Sequence, residues 1–142
     1  MALCIKASIA ALAVAMAGAA AAQQLDGTLK KVADTGSITI GHRETSIPFS
    51  YYDGKQKPVG YSIDICERIV KAVQTRLNRS DIQVKYLPVT SATRIPLMGN
   101  GTIDLECAST SNTLDRQQQV AFSVTTFVTG NRFLSQKSSK LR

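Results

Sequence analysis

The sequence contains few of the residues on which metal binding and most side-chain catalysis depend. Histidine occurs once among the 142 residues, as His42, and the three cysteines form no CxxC or Cys/His pair. A zinc site therefore has little support, and the partners for Ser/His/Asp or Cys/His catalysis do not occur at motif spacing. We interpret His42 as a structural residue or one that supports a site from behind, and we expect no metal and no cofactor.

Basic runs and further long hydrophobic runs are also missing. The formal net charge is +7, but the lysines and arginines are scattered singly, without interleaved aromatic residues, which argues against a nucleic-acid partner. Beyond residue 22, no segment has the length and hydrophobicity of a transmembrane helix. The pattern indicates a solvated surface that carries a few functional arginines.

The N-terminus, in contrast, has the features of an exported protein. Lys6 is the only charge before Asp26, and the apolar run that follows Lys6 ends in the small residues Ala20-Ala21-Ala22. We expect a signal peptide at residues 1–22, cleaved after Ala22, that delivers residues 23–142 to the periplasm as one domain. A membrane anchor is the weaker alternative, because the run is shorter than the ~20 residues that span a bilayer.

The rest of the chain alternates strands with helices, which predicts an α/β fold with parallel strands. Strands are predicted at residues 37–41, 82–87 and 102–107, short helices at 28–33, 91–98 and 114–120, and a further extended segment at 124–135. The clearest helix covers residues 65–77, where apolar residues recur every four positions: Ile65, Ile69, Val73 and Leu77. Ser62 or Asp64 is expected to cap its start and Asn78 to end it.

Three arginines follow the three predicted strands. Arg43 comes after the first strand, Arg94 after the second and Arg116 after the third, each near Ser or Thr. Because ligands bind beyond the carboxyl ends of parallel strands, we expect the three side chains on one rim. Guanidinium groups match carboxylates bidentately, which suits a ligand with two carboxylates and one ammonium. The alternative is three ordinary surface arginines, paired with Glu44, Asp115 or nothing.

Other polar and aromatic residues near these strand ends have weaker functional signals. Asp104 and Glu106 lie in the third predicted strand. We expect Glu106 to pack against a cation and Asp104 to be a strand-end residue. Tyr51 or Tyr52, beside the turn at Asp53-Gly54, is expected to lie nearest the ligand.

The chain closely resembles the periplasmic glutamate/aspartate-binding proteins of amino-acid ABC transporters, which belong to solute-binding protein family 3. The resemblance is carried by GHRETSIPFSYYDGKQKPVGYSIDICERIV, at residues 41–70, and by PVTSATRIPLMGNGTIDLECASTSNTLDRQQQVAFS, at residues 88–123. It extends from about Leu25 to Lys137. It implies an α/β, periplasmic-binding-protein-like fold of type II, of which this chain is the first lobe only and incomplete, with the second lobe absent.

The resemblance also implies six ligand-binding residues and their roles. The side-chain carboxylate of the ligand is assigned to Arg43, Ser91 and Arg94, the α-amino and α-carboxylate groups to Ser109 and Ser111, and the α-carboxylate fork to Arg116. Ser111 stands where relatives usually carry Thr, which keeps the hydroxyl group. Ala108 stands where Gly is common.

The implied function is extracytoplasmic binding of glutamate or aspartate and its delivery to the membrane permease of an ABC transporter, by a monomer that is not an enzyme. Because the absent lobe would bury most of the ligand, we expect weak binding by this chain alone. The alternatives are a periplasmic enzyme or a sensor module of the same fold, and a module that binds acidic peptides or other anions. The resemblance also places Cys66 beside Cys107, so an exported chain is expected to form this disulfide, against the alternative of two free thiols.

Overall fold

The computed structural model describes residues 25–130, 132 and 134–138. The predicted signal peptide, residues 1–22, lies outside the described residues. Along the chain the elements are α1 (Gly27–Thr35), β1 (Ser37–His42), β2 (Thr45–Ser46), β3 (Ser50–Tyr52), β4 (Pro58–Val59), α2 (Tyr61–Leu77), β5 (Gln83–Pro88), α3 (Arg94–Gly99), β6 (Leu105–Cys107) and α4 (Leu114–Gln117). In this part of the chain, no helix has the length and hydrophobicity needed to cross a membrane.

The main sheet has three parallel strands in the order β5-β1-β6. Ser37 pairs with Gln83 at one end of β1, and His42 pairs with both Pro88 and Cys107 at the other. The central strand carries Ile38 and Ile40, both almost fully buried, and their spacing of two places them on one face of the sheet, towards the core. The predicted α/β fold with parallel strands is therefore confirmed.

Helix α2 is the longest described element, and its buried face includes only part of the predicted stripe: Val73 and Leu77 pack partly buried against the core. Its buried residues are Ile63, Cys66 and Val70, whereas Ile69 of the predicted stripe is 36% exposed. Seen from the sequence, the apolar band is wide enough to allow either rotation, and packing against the sheet selects one. Of the two expected caps, the C-terminal one is present: Asn78 ends the helix in a left-handed conformation. The N-terminal one is not, because the N-cap is Gly60 and no side chain caps the start.

In chain order, a small antiparallel sheet, β2-β3-β4, follows β1 and precedes α2. The predicted turn is present, and the Asp53 carboxylate organises it by accepting hydrogen bonds from the backbone N–H groups of Lys55 at 2.8 Å and Lys57 at 2.9 Å. An aspartate that bonds to backbone two and four residues ahead is a typical turn-forming residue.

One predicted strand is wrong in extent, and the predicted extended segment at 124–135 pairs with no strand over its described residues. Strand β6 begins at Leu105 rather than Thr102, because the N–H of Ile103 donates to the carbonyl of Leu97 in α3 instead of to β1. Residues 124–130 form no strand, and the carbonyl of Thr126 accepts a hydrogen bond from the Tyr61 hydroxyl rather than from a neighbouring strand. Tertiary contacts therefore replace the ladder hydrogen bonds that the residue pattern suggested.

The core lies between the sheet and helices α1 and α2. Its buried residues are Val32, Ile38, Ile40, Ile63, Cys66, Val70, Ile82 and Cys107. Within it, Cys66 of α2 and Cys107 of β6 are joined by a disulfide, with their Cα atoms 6.3 Å apart. The bond connects the long helix to the edge strand that leads into the candidate site.

Candidate functional site: an arginine cluster at the strand ends

The structure brings the three predicted arginines to the same end of the sheet. Arg43 directly follows β1, Arg94 is the first residue of α3 after β5, and Arg116 lies in α4 after β6. Burial lowers the pKa of Arg94, Glu106 opposes that change, and the positive charges of Arg43 and Arg116 lower the pKa further. The three guanidinium groups are thus close enough to interact electrostatically, as the strand-end rule predicts.

Arg94 is the buried member of the cluster, with 6% of its surface exposed. Its Nε–H donates to the carbonyl of Thr90 at 3.3 Å, and Nη1 donates to Glu106 Oε1 at 3.2 Å and to the hydroxyl of Thr110. Nη2 donates to the hydroxyl of Ser91 at 3.4 Å. A guanidinium carries five N–H groups. Four of them are used in these contacts, so one N–H group of Nη2 has no partner among the described residues.

Arg43 and Arg116 are half-buried, and fewer of their N–H groups form hydrogen bonds within the protein. Arg43 donates from Nη1 to the carbonyl of Val89 at 2.8 Å and, at 3.5 Å, from Nε to the hydroxyl of Ser46. Arg116 donates from Nη1 to the carbonyl of Ser111 at 2.9 Å. In the described part of the chain, each guanidinium therefore keeps most of its N–H groups without a partner, and these can meet an anionic ligand.

Glu106 forms an ion pair with Arg94, which agrees with the expectation that it packs against a cation. Its Oε1 also accepts a hydrogen bond from the Thr110 hydroxyl at 2.9 Å. Burial raises the pKa of the Glu106 carboxyl, while the charge of Arg94, the Thr110 hydrogen bond and the charges of Arg116 and Arg43 act in the opposite direction. Asp104 has a separate role, because it precedes β6 and bonds to Lys31 and to the backbone N–H of Thr39.

The three serines assigned to the site all lie exposed near the arginines. Ser91 touches Arg94 through its hydroxyl group, and Ser111 contacts Arg116 through its carbonyl. Ser109 is exposed as well, whereas its neighbour Thr110 turns inward onto Glu106. Their roles towards a ligand stay predictions. Thr110 was missed by sequence reasoning, since nothing in the local pattern distinguishes it from the hydroxyl residues on either side.

The segment that carries Arg43 is held in place from behind. The fully buried Ser50 accepts a hydrogen bond from the Arg43 N–H at 2.8 Å and donates one to the Arg43 carbonyl at 3.1 Å. His42 Nδ1 lies 3.2 Å from the same carbonyl, and its Nε2 lies 3.5 Å from the Tyr52 hydroxyl. His42 is buried and contacts the Arg43 backbone, so it supports this segment from behind.

A cavity of about 220 Å³ adjoins Arg94 and Glu106 on the side of α2. Its remaining lining is mainly apolar and includes Ile65, Ile69 and Met98, while Arg43, Ser109, Ser111 and Arg116 do not reach it. The cavity is thus separate from the exposed side of the arginine cluster. Among residues 25–130, no group of three His, Cys, Asp or Glu side chains is placed to hold a metal ion.

Comparison with known sequences places this site in a family context. Residues 38–141 match the model of the bacterial extracellular solute-binding proteins, family 3. The glutamate/aspartate import solute-binding protein of Salmonella typhimurium is 54% identical over 133 residues, covering 94% of this chain and 43% of that protein. The L-glutamate/L-aspartate-binding protein of Pseudomonas aeruginosa is 48% identical over 136 residues, covering 95% and 45%. The chain spans less than half the length of these relatives.

Solved structures show the same architecture. An ancestral cationic amino-acid solute-binding protein superposes with a TM-score of 0.60 at 25% identity, covering 68% of this chain and 39% of that one. The arginine-bound form of domain 1 from TmArgBP, a Phe57Trp mutant, superposes with a TM-score of 0.59 at 24% identity, covering 70% of this chain and 71% of that one. The fold is therefore that of type II periplasmic amino-acid-binding proteins, as a partial first lobe.

Proposed function

The chain belongs to the bacterial extracellular solute-binding proteins, family 3, and from that premise we propose that it carries the arginine-bearing side of a site for glutamate or aspartate. The observation that supports this function is the cluster itself, in which half-buried Arg43 and Arg116 keep N–H groups that no described residue accepts, at one end of the sheet. The names of relatives that are 48% to 54% identical point to the same ligand class.

Within the proposed site, the free donors suggest which residues would bind each of the two ligand carboxylates. Arg43 and the remaining N–H of Arg94, with the Ser91 hydroxyl, would hold the side-chain carboxylate. Arg116 would form the fork for the α-carboxylate, beside the exposed hydroxyls of Ser109 and Ser111. Arg43 carries more of the first interaction than Arg94, because the donors of Arg94 are nearly all used inside the protein.

The proposed setting is the periplasm, reached by cleavage of the signal peptide at residues 1–22. There the chain would act as a monomer and present its ligand to the membrane permease of an ABC transporter, without a cofactor. A periplasmic enzyme of the same fold is the alternative. It has less support, because the single acidic group inside the described cluster, Glu106, is tied to Arg94 and Thr110.

The test is a titration of the full chain with glutamate, aspartate and glutamine, followed by calorimetry or by NMR at millimolar ligand. We expect the two acidic amino acids to bind and glutamine to bind at least about tenfold more weakly, because it presents one carboxylate instead of two. Arg116→Gln should weaken glutamate binding at least about tenfold, since a charge-assisted fork is lost. The control is Arg68→Gln, an exposed arginine on α2, which should leave binding unchanged. Equal binding of glutamate and glutamine would refute the proposed ligand class.

A further inference from the structure

Glu106 lies against Arg94, the buried arginine of the cluster. Its side chain is 14% exposed, and Oε1 accepts hydrogen bonds from Arg94 Nη1 at 3.2 Å and from Thr110 Oγ1 at 2.9 Å. Burial raises the pKa of this carboxyl group, and the charges of Arg94, Arg116 and Arg43 oppose that rise. Both of its hydrogen bonds are accepted and none is donated, as an ionised carboxylate requires. In the described part of the chain, Arg43 and Arg116 have no ion pair of their own.

The charges of this cluster do not cancel. Three guanidinium groups and one carboxylate leave two positive charges, and these lie on the side where Arg43 and Arg116 keep free donors. Two unneutralised guanidiniums match two ligand carboxylates. Without the internal carboxylate, three like charges would face one another across a partly buried site, where repulsion is weakly screened.

We propose that Glu106 is the internal counter-ion of the arginine cluster, and that it determines specificity by leaving two positive charges for a ligand that has two carboxylates and an ammonium group. This inference rests on the proposed function and adds a residue to it. Glu106 acts through Arg94. It accepts a hydrogen bond from Nη1, so the remaining N–H of Arg94 is on Nη2, the nitrogen that contacts Ser91. It is therefore a positioning residue rather than a ligand contact.

The first test compares two dicarboxylates that differ in charge. Glutarate lacks the ammonium group of glutamate and so carries one more net negative charge. Glu106→Gln keeps the size and an acceptor oxygen but adds one positive charge to the site. The ratio of affinities should shift about tenfold towards glutarate, the order expected for one unit charge a few ångströms away in a partly solvated site. A purely structural role would weaken both ligands in proportion and leave the ratio unchanged.

The matched control is Glu44→Gln, which removes an exposed carboxylate next to Arg43 in the sequence but outside the cluster. Its glutamate-to-glutarate ratio should equal that of the native chain. A shift as large as that of Glu106→Gln would mean that general charge, rather than the internal ion pair, determines selectivity, and would overturn the proposal.

A second measurement needs no amino acid. Thermal unfolding of the full chain in increasing sulfate should show a larger rise in Tm for Glu106→Gln than for the native chain, because a bound anion replaces the missing carboxylate. The double variant Glu106→Gln/Arg116→Gln restores the charge balance, so it should lose the extra sulfate response and recover stability if the single variant fails to fold. A sulfate response equal to that of the native chain, or no recovery in the double variant, would overturn the inference.

These two measurements separate the inference from the proposed function. If the native chain binds no acidic amino acid but the sulfate results follow the expectation, the proposed function fails and the counter-ion role stands. If glutamate binds well and Glu106→Gln changes neither the ligand ratio nor the sulfate response, the function stands and the counter-ion role fails.

Discussion

The position of Arg43 depends on a serine seven residues further along the chain. Ser50 lies on β3, is fully buried, and bonds to both the N–H and the carbonyl of Arg43. Since a buried hydroxyl without partners is costly, these two bonds also determine where the serine itself can lie. The small sheet β2-β3-β4 therefore serves the site: it fixes the backbone from which the Arg43 guanidinium extends.

Gly60 joins that small sheet to α2, and its conformation admits no side chain. Its φ is +126°, and a Cβ atom there would lie 2.6 Å from the carbonyl oxygen of Phe49. Backbone cannot move aside as a flexible side chain can, so Gly60→Ala should destabilise the fold by about 1–3 kcal/mol or more. Urea unfolding of the full chain measures the change. Gly54→Ala, where a Cβ meets nothing within 4 Å, is the control, and equal stability of the two variants would contradict the argument.

At this scale the sequence predicts which arginines gather but not how each is used. The strand-end rule places Arg43, Arg94 and Arg116 together because it depends only on chain order and parallel pairing. The commitment of Arg94 to Glu106 and Thr110 depends on contacts 12 and 16 residues away, which no local pattern encodes. Sequence reasoning therefore predicted which arginines come together but not that Arg94 uses most of its donors inside the protein, and the ligand roles of all three stay predictions.

Among the elements, β6 is short, although it leads directly into the candidate site. It has three residues, pairs on one side with β1, and leads directly to Ser109 and Thr110. The disulfide ties its last residue, Cys107, to Cys66 in the middle of α2. A covalent link to the longest helix compensates for the few ladder hydrogen bonds that so short a strand can form.

Removal of this link should therefore lower stability by an amount that grows with the logarithm of the length of the loop it closes. With a separation of 41 residues, loss of the bond is expected to lower the free energy of unfolding by about 4 kcal/mol in the chain-entropy account. The measurement is urea unfolding of exported protein with and without reductant, with intact mass to establish the oxidation state. The variant Cys66→Ala/Cys107→Ala should not respond to reductant. A native chain whose stability is the same in both conditions would argue against a stabilising bond.

Element type was predictable here, while element extent and rotation were not. The parallel strands, α2 and the turn at Asp53 all follow from apolar spacing and turn residues. The exposed position of Ile69 and the late start of β6 follow instead from packing between elements: α2 presents Ile63 and Cys66 to the sheet, and Ile103 bonds to α3. Both depend on partners distant in sequence.

The whole molecule presents its candidate ligand groups on an open side. Ser91, Ser109 and Ser111 are exposed, while the segment after α4 lines the cavity beside Arg94 and Glu106 and packs Phe127 edge-on against Phe49, with ring centroids 4.9 Å apart. Affinity in sites for small ligands depends on burying most of the ligand surface. In the proposed function, the described residues would supply one face of such a site, including the guanidinium groups of Arg43 and Arg116.

We therefore expect the full chain to bind glutamate more weakly than about 10 µM, with the correct ligand preference but little burial. The measurement is calorimetry on the chain alone and on a chimera that adds the part of the Pseudomonas aeruginosa relative beyond the 45% that this chain matches. The chimera should bind at least about tenfold more tightly, because the added polypeptide covers the exposed serines and closes over the ligand. Introducing Arg116→Gln into the chimera should abolish most of that gain, since closure stabilises only a ligand that the arginines already hold. Micromolar or tighter binding by the chain alone would show that one face of the site suffices.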